Sequence, residues 1–452
     1  MRGYRAHLLC VLTLGMLLAG CAKMERTAPE SAEAPAPPAD TAAAPAADAP
    51  AAPAADEAPA PPADTPAAPA ADAPPPPPPS ETSAPHHDAG LPSTLPLPAD
   101  ATARPISPGT SSPDVSAKVG DSKPYALVRV FYATDRSPVP ESGRVKTFGS
   151  KRGTLSFGTC DVSIPRDHKV GELEAPSLLK FWRMDFHEDP SKHVMITSLD
   201  PLSKEAYFDG LRKRVNQSHD GNALVFVHGY NVTFEDAARR TAQMAWDLSF
   251  DGPAILYSWP SMGAVTGYPV DANNVRWSTP HLKQFLADVA TQSQAQNIYL
   301  LAHSMGTQAL VDAFNELVAE NPAARAKFRE VILAAPDIDA DLFKNSIAPQ
   351  LAGSGSSTTH VTLYASSRDR ALLASKKWGA YSRAGDAGNA FLIAPGIETI
   401  DASLVDSGVL GHSYFADNRL VVSDLFYLIS QHIRACSRFS LVTDQGRCRF
   451  KN

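Results

Sequence analysis

Ser304 stands in Ala302-His303-Ser304-Met305-Gly306, where the apolar run "NIYLLAH" gives way to the helical pattern "MGTQALVDAFNELVAE". A serine at a sharp strand-to-helix turn needs small residues two places before and after it. Ala302 and Gly306 meet that need, although glycine is the usual first residue. Such a serine attacks an acyl carbon only with a base beside it and an acid to orient the base. In folds that carry their nucleophile this way, acid and histidine both follow the serine in the chain. Only His360, His412 and His432 come after Ser304. His360 opens a strand, at its wrong end, and His432 lies in the closing helix. His412, in "LGHSYF", falls in a loop between the last strand and the last helix, from which an imidazole can reach over the sheet edge. It is the expected base. Asp369 closes "HVTLYASSRD" and is the expected acid, the plain alternative being an ion pair with Arg368 or Arg370. Asp337, one strand earlier, is held in reserve, and Asp401 reads as a turn residue.

An attacked carbonyl becomes an oxyanion, which needs N–H donors. The amide after the serine, that of Met305, is one. The other is expected from the loop after "NALVFVHG", where Tyr230 follows His228-Gly229, with Gly229 read as the residue of unusual φ. His228 itself reads as structural. Trp259, in "YSWPSMG", either lines the acyl pocket or packs in the core. This chemistry needs no cofactor. No paired Cys-x-x-Cys, His-Glu-x-x-His or comparable ligand spacing suggests a metal. "DIDADLF" opens like a calcium loop, but Leu342 and Ala348 stand where glycine and glutamate would be needed, so it reads as a polar strand end capping the next helix.

These residues must be held by elements, and the pattern supplies them. "YALVRVFYAT", "GTLSFGTCDVSI" and "HVMITSLDPL" read as strands, expected antiparallel. Strand and helix then alternate: "NALVFVHG" with "FEDAARRTAQMAWDLSF", "PAILYSWP" with "HLKQFLADVATQSQ", "NIYLLAH" with the helix after Ser304. "EVILAAPD", "HVTLYASS" and "AFLIAPGIETI" read as further strands, with a short helical stretch to about Ala352 and a closing helix in "NRLVVSDLFYLISQHIRA". Short, wholly apolar runs between amphipathic helices indicate a mostly parallel, doubly wound sheet covered on both faces, with an antiparallel N-terminal β portion. Ligands of such sheets sit at the carboxyl ends of the strands, where both opening motifs end. The connections are short, so no large lid domain is expected.

The N-terminus reads differently. Residues 1–20 have a charged start and a short apolar core, as a secretory signal does. Residues 21–118 are Ala/Pro-rich and nearly devoid of aromatic and branched side chains, so the expectation is a disordered spacer. That tract holds thirteen acidic and four basic residues, which leaves residues 119–452 near neutral although the chain totals −7. A neutral domain without a basic run gives no argument for nucleic acid. Of the remaining cysteines, Cys436 and Cys448 bracket a short polar C-terminal loop and are the expected disulfide, and Cys160 reads as a buried small apolar residue.

"LAGC", ending at Cys21, resembles the bacterial lipoprotein cleavage box. The resemblance implies a lipidated Cys21 and attachment to a membrane. Ala22 after the cysteine implies the outer membrane of a Gram-negative bacterium. "VFYATDR", "VFVHGYNVTFEDAARR", "LYSWPS", "LLAHSMGTQAL", "LAAPDIDADLF", "LYASSRDRAL" and "LGHSYF" together resemble the bacterial α/β-hydrolase family of unknown function DUF900. That resemblance spans residues 125 to 435. It implies an α/β-hydrolase fold and a Ser304–Asp369–His412 triad, and supplies no substrate. The expectation is a serine hydrolase of a small-molecule or lipid ester, tethered to the envelope. A non-catalytic envelope-binding lipoprotein and an acyltransferase using the same triad are the alternatives. The sequence does not give the oligomeric state.

Overall fold

Strand β4 (Asn222–Val227) is buried from Ala223 onward, and its side chains part between two cores: Ala223, Val225 and Val227 face one, Leu224 and Phe226 the other. A strand apolar on both sides must be covered on both sides. In the computed structural model this holds across one sheet. The structure describes residues 123–141, 144–175, 188–353, 357–379, 381–388, 391–405, 412–444 and 447–451. The signal, Cys21 and the Ala/Pro-rich tract lie outside them.

The strands in chain order are β1 (Tyr125–Glu141), β2 (Arg144–Pro165), β3 (Met195–Leu202), β4, β5 (Ala254–Ser258), β6 (Asn297–His303), β7 (Phe328–Ala334), β8 (His360–Ala365), β9 (Ile397–Asp401), β10 (Leu441–Asp444) and β11 (Arg447–Phe450). They form one eleven-stranded sheet in the order β10-β11-β9-β8-β7-β6-β4-β5-β1-β2-β3. Pairing is parallel from β11 through β1 and antiparallel at both margins. The chain steps from β4 to β5 toward one edge, then returns past β4 to β6 and continues toward the other. That reversal opens a crevice at the carboxyl ends of β4 and β6.

Helices α1 (Lys204–Gln217), α3 (Tyr268–Gln292) and α4 (Gly306–Glu320) cover one face, with Tyr207, Phe285 and Phe314 in its core. Helices α2 (Phe234–Asp247) and α6 (Arg419–Gln431) cover the other with Ala238, Val421 and Leu425; α5 (Arg370–Gly379) follows β8. Each fully buried Leu or Phe stabilises by roughly 1.5–3 kcal/mol. Thr233 caps α2 by accepting the Asp236 N–H. Among the described residues no helix is long and apolar enough to cross a membrane.

Three elements depart from the sequence reading. Helix α3 begins at Tyr268, not His281, and Pro280 lies inside it. Pro269 in its first turn suits a helix start as well as Pro280 does, and burial of Val275 and Ser278 favours the longer helix. Phe391 to Gly396, in the stretch read as a strand, are not strand; β9 starts only at Ile397, after Gly396 turns the chain with φ +76°. The polar stretch after α6 is a hairpin, β10–β11, and β11 joins the sheet beside β9. Cys448 on β11 is bonded to Cys436 just beyond α6, with Cα atoms 5.1 Å apart. Cys160 is buried on β2, and burial pushes its thiol pKa well up.

Candidate active site

Strand β6 ends in a turn that only close packing can hold. Ser304 has φ +51°, the left-handed region that costs a serine on the order of 1 kcal/mol or more. Its N–H donates to the Ala334 carbonyl at 2.9 Å, and its own carbonyl accepts from the Thr307 hydroxyl at 2.6 Å and the Asp337 N–H at 3.3 Å. A methyl group on Gly306 would collide with the His228 carbonyl oxygen, and one on Gly229 would lie 2.9 Å from the Ser304 Cβ. The ends of β4 and β6 therefore meet backbone to backbone, and Ser304 is left facing a cavity of about 730 Å³.

His412 lines the same cavity. Its Nδ1 lies 2.7 Å from Asp369 Oδ2. A carboxylate accepts, so Nδ1 carries the proton, and in the neutral ring Nε2 keeps its lone pair. The other oxygen of Asp369 accepts the N–H groups of Ala371 and Leu372, at 3.1 and 3.0 Å, at the start of α5. Asp369 is thus a helix cap and an imidazole partner at once. Among the described residues the Ser304 hydroxyl makes no hydrogen bond; nucleophile–base contacts in free enzymes are often long and tighten in the complex.

His303, next to the serine, has a role that the sequence reading missed. Its Nε2–H donates to the His412 carbonyl at 3.0 Å, and its ring stacks on Phe415 with centroids 4.4 Å apart. Burial holds its pKa well below the usual value, with the neighbouring His412 adding to the effect, so it stays neutral. The strand that leads into Ser304 is therefore also tied to the backbone of His412.

On the opposite side of Ser304 runs the loop after β4. Gly229 and Tyr230 line the cavity, and neither the Tyr230 N–H nor the Met305 N–H has a partner among the described residues. Gly229 does not take a positive φ; close approach to Ser304 is what requires glycine there, and Asn231 adopts the left-handed conformation instead, at φ +59°. His228 is buried. Its Nε2 lies 3.2 Å from Arg136 Nη2, which can only donate, so the ring proton sits on Nδ1, directed to the Gly229 carbonyl at 2.8 Å. Burial and then the Arg136 charge depress its pKa well below the usual value. Trp259 is fully buried, stacks on His228 and donates its Nε1–H to the His228 carbonyl at 2.7 Å. It is a core aromatic and not a wall of the cavity.

Asp337 also lines the cavity but faces no histidine. Its carboxylate accepts from Tyr268 Oη at 2.8 Å and Ser375 Oγ at 2.5 Å, and pairs with Arg383 at 3.1 Å. The helix-capping role expected for this stretch belongs to Asp339, which accepts the Leu342 N–H. Asp401 accepts the Ser403 N–H in a turn, as expected. His360 opens β8 at the far end of the sheet, and His432 is the left-handed C-cap of α6 rather than part of the helix.

Residues 203–431 match the model of DUF900, the alpha/beta hydrolase of unknown function. The chain belongs to this family. The sheet described above is accordingly its α/β-hydrolase fold. An uncharacterised protein of Nostoc sp., alr1448, is 23% identical over 213 residues, 39% of this chain and 52% of that protein, so the chain spans about half the length of the relative it matches. Among solved structures, lipase B of Aspergillus fumigatus is 12% identical with a TM-score of 0.31, over 47% of this chain and 53% of that one. The carboxylesterase CesB of Bacillus subtilis is 11% identical with a TM-score of 0.27, over 48% and 86%. The DUF900 match begins at Ser203, in front of α1. Strands β1 to β3, and with them Arg136, therefore precede the matched region in this member.

Proposed function

We propose that this chain is a serine hydrolase acting on ester bonds. Ser304 Oγ attacks the acyl carbon while His412 Nε2 takes its proton. The tetrahedral oxyanion is held by the N–H groups of Met305 and Tyr230. Collapse breaks the ester bond, and the imidazolium gives its proton to the leaving alcohol. Water then attacks the acyl-serine by the same route, releasing the acid and restoring Ser304. Asp369 keeps the proton on Nδ1 and stabilises the imidazolium. The observation that carries this reading is the Asp369–His412 pair opening onto the same cavity as a serine held at positive φ. The apolar wall of that cavity, with Leu173, Phe226 and Phe415, supports an ester with an apolar acyl group. A fluorophosphonate probe should label the native chain and not Ser304→Ala, and a p-nitrophenyl ester series should give turnover in the first only. Labelling that persists in Ser304→Ala would remove the proposal.

The second part of the proposal is attachment to the envelope, at the outer membrane, through a lipid on Cys21. Its support is the sequence "LAGC" alone. Two or more acyl chains anchor stably where one does so marginally. Cys21→Ser should shift the protein from the membrane to the soluble fraction with esterase activity intact; continued membrane fractionation would exclude the lipid.

A further inference from the structure

Arg136, from "VFYATDR", is buried on β1 and, among the described residues, has no carboxylate at ion-pairing distance. A guanidinium without a partner is costly to bury. This one is compensated in a specific way. All five of its N–H groups find acceptors: Nε with Ser258 Oγ at 2.8 Å, Nη1 with the carbonyls of Gly149 and Ser261 at 3.1 and 3.0 Å, Nη2 with the Val232 carbonyl at 2.8 Å and His228 Nε2 at 3.2 Å. A lysine offers three donors without the planar fork and could not make this set.

The acceptors are not scattered. Ser258 and Ser261 belong to the end of β5 and the loop after it. His228 and Val232 bracket the loop after β4. Several groups of that loop are tied down. The His228 carbonyl accepts Trp259 Nε1–H, the Asn231 N–H donates to Asp271 at 3.4 Å, and the Val232 N–H donates to Ser261 Oγ at 3.1 Å. Asp271 in turn accepts from Ser261 Oγ and from the Met262 N–H. Among the described residues the N–H groups of Gly229 and Tyr230 have no partner; Gly229 lies against Ser304, and both residues line the cavity. Tyr230 hangs between the two points that one guanidinium grips.

We propose that Arg136 is the positioning residue of the oxyanion site: by clamping His228 and Val232 to the end of β5, it fixes the Tyr230 N–H relative to Ser304 without touching substrate. This rests on the hydrolase reading above. Arg136 stays charged at neutral pH, its pKa lowered by burial only to about 10. The clamp should therefore be constant around neutral pH.

The test uses the full chain carrying Arg136→Lys or Arg136→Met, with circular dichroism for folding and fluorophosphonate titration to count competent sites. Per competent site, kcat on a p-nitrophenyl ester should fall on the order of 10²-fold, the scale of losing one oxyanion donor, with KM nearly unchanged. Affinity for an aryl boronic acid, which forms a tetrahedral adduct on Ser304, should fall in parallel, while inhibition by the carboxylate product should not move. A merely structural role would lower the number of competent sites and leave kcat per site alone; that result overturns the inference. If neither variant folds, Ser258→Ala, which removes the Nε acceptor together with the Ser258 Oγ contact to His228 Nε2 at 3.1 Å, decides it: a several-fold loss of kcat at constant KM supports the clamp, and native kcat removes it. Ser304→Ala is measured alongside. Turnover surviving there defeats the hydrolase reading itself, whereas turnover lost there but native in Arg136→Met defeats only the clamp.

Discussion

Asp337 and Asp369 follow neighbouring parallel strands, β7 and β8, and are equally buried at 2% and 1% exposure. They differ in what their oxygens do. Asp337 spends both oxygens on Tyr268, Ser375 and Arg383. Asp369 gives one oxygen to the first N–H groups of α5 and the other to His412. Burial and position at a strand end are common to the two. What distinguishes an imidazole's partner is one oxygen kept clear of fixed donors, opposite a loop that brings a histidine. Spacing in the chain cannot report that, because the competing donors of Asp337 come from α3, α5 and the segment after it.

The contrast can be broken most directly at Asp369. Asp369→Asn should lower kcat on the order of 10⁴-fold, because an amide opposite Nδ1 favours the wrong tautomer. Its remaining oxygen still caps α5, so the melting temperature should barely move. Ester turnover within a factor of ten of native would mean that the two aspartates are not different in kind. Asp337→Asn should show the opposite profile. Removing the charge that faces half-buried Arg383 should cost about 2 kcal/mol in a denaturant titration, with most of the activity retained. A large loss of kcat in folded Asp337→Asn would return it to contention as the acid.

A finer comparison separates the two duties of Asp369. Asp369→Ala loses the cap as well as the imidazole partner, and should be less stable than Asp369→Asn by about 1 kcal/mol with no further loss of rate. Equal stability of the two variants would show that the cap contributes nothing.

The smallest effect concerns a histidine that resembles His412 but has no serine. His168 is paired through Nδ1 to Glu174 and through Nε2 to Asp247, at 2.8 Å each. Burial alone would lower its pKa, but the hydrogen bonds to Asp247 and Glu174 outweigh burial and raise it. A folded pKa above the unfolded value means stability that is complete below about pH 6.5 and is lost as pH rises through the folded pKa. The melting-temperature gap between native protein and His168→Gln should therefore be larger at pH 6 than at pH 9. A gap that widens toward pH 9 would contradict the pairing. Both ring nitrogens of His168 are engaged by carboxylates, so it holds a proton rather than passing one on.

The parts of the site that the sequence announced are those marked by local punctuation. Ser304 sits between an apolar strand and a helix with small residues on either side, and His412 was the one later histidine in a loop at the right end of the sheet. The doubly wound core followed from wholly apolar strands such as β4 and β6. What escaped depends on distant partners or on a choice between equal local signals. Two prolines offered a start for α3, and packing selected Pro269 over Pro280. "FLIAPG" has the composition of a strand but makes no ladder before Ile397. Trp259 could be placed only once His228 was seen against it. His303 meets the His412 carbonyl across 109 residues of chain, and Arg136 meets His228 across 92. No pattern within a motif encodes such pairs.

The missing side chain of Gly306 has a consequence for how this site can change over generations. Its α-carbon lies so near the His228 carbonyl that one added carbon cannot be accommodated, and that carbonyl is already committed to Trp259. In a saturation library, position 306 should therefore return only glycine codons among active clones, while Ala302 should exchange freely with glycine. Drift along the segment from His228 to Tyr230 has no compensating substitution available at 306. Two stretches of chain almost eighty residues apart are thereby inherited as one unit, tied by an atom that is not there.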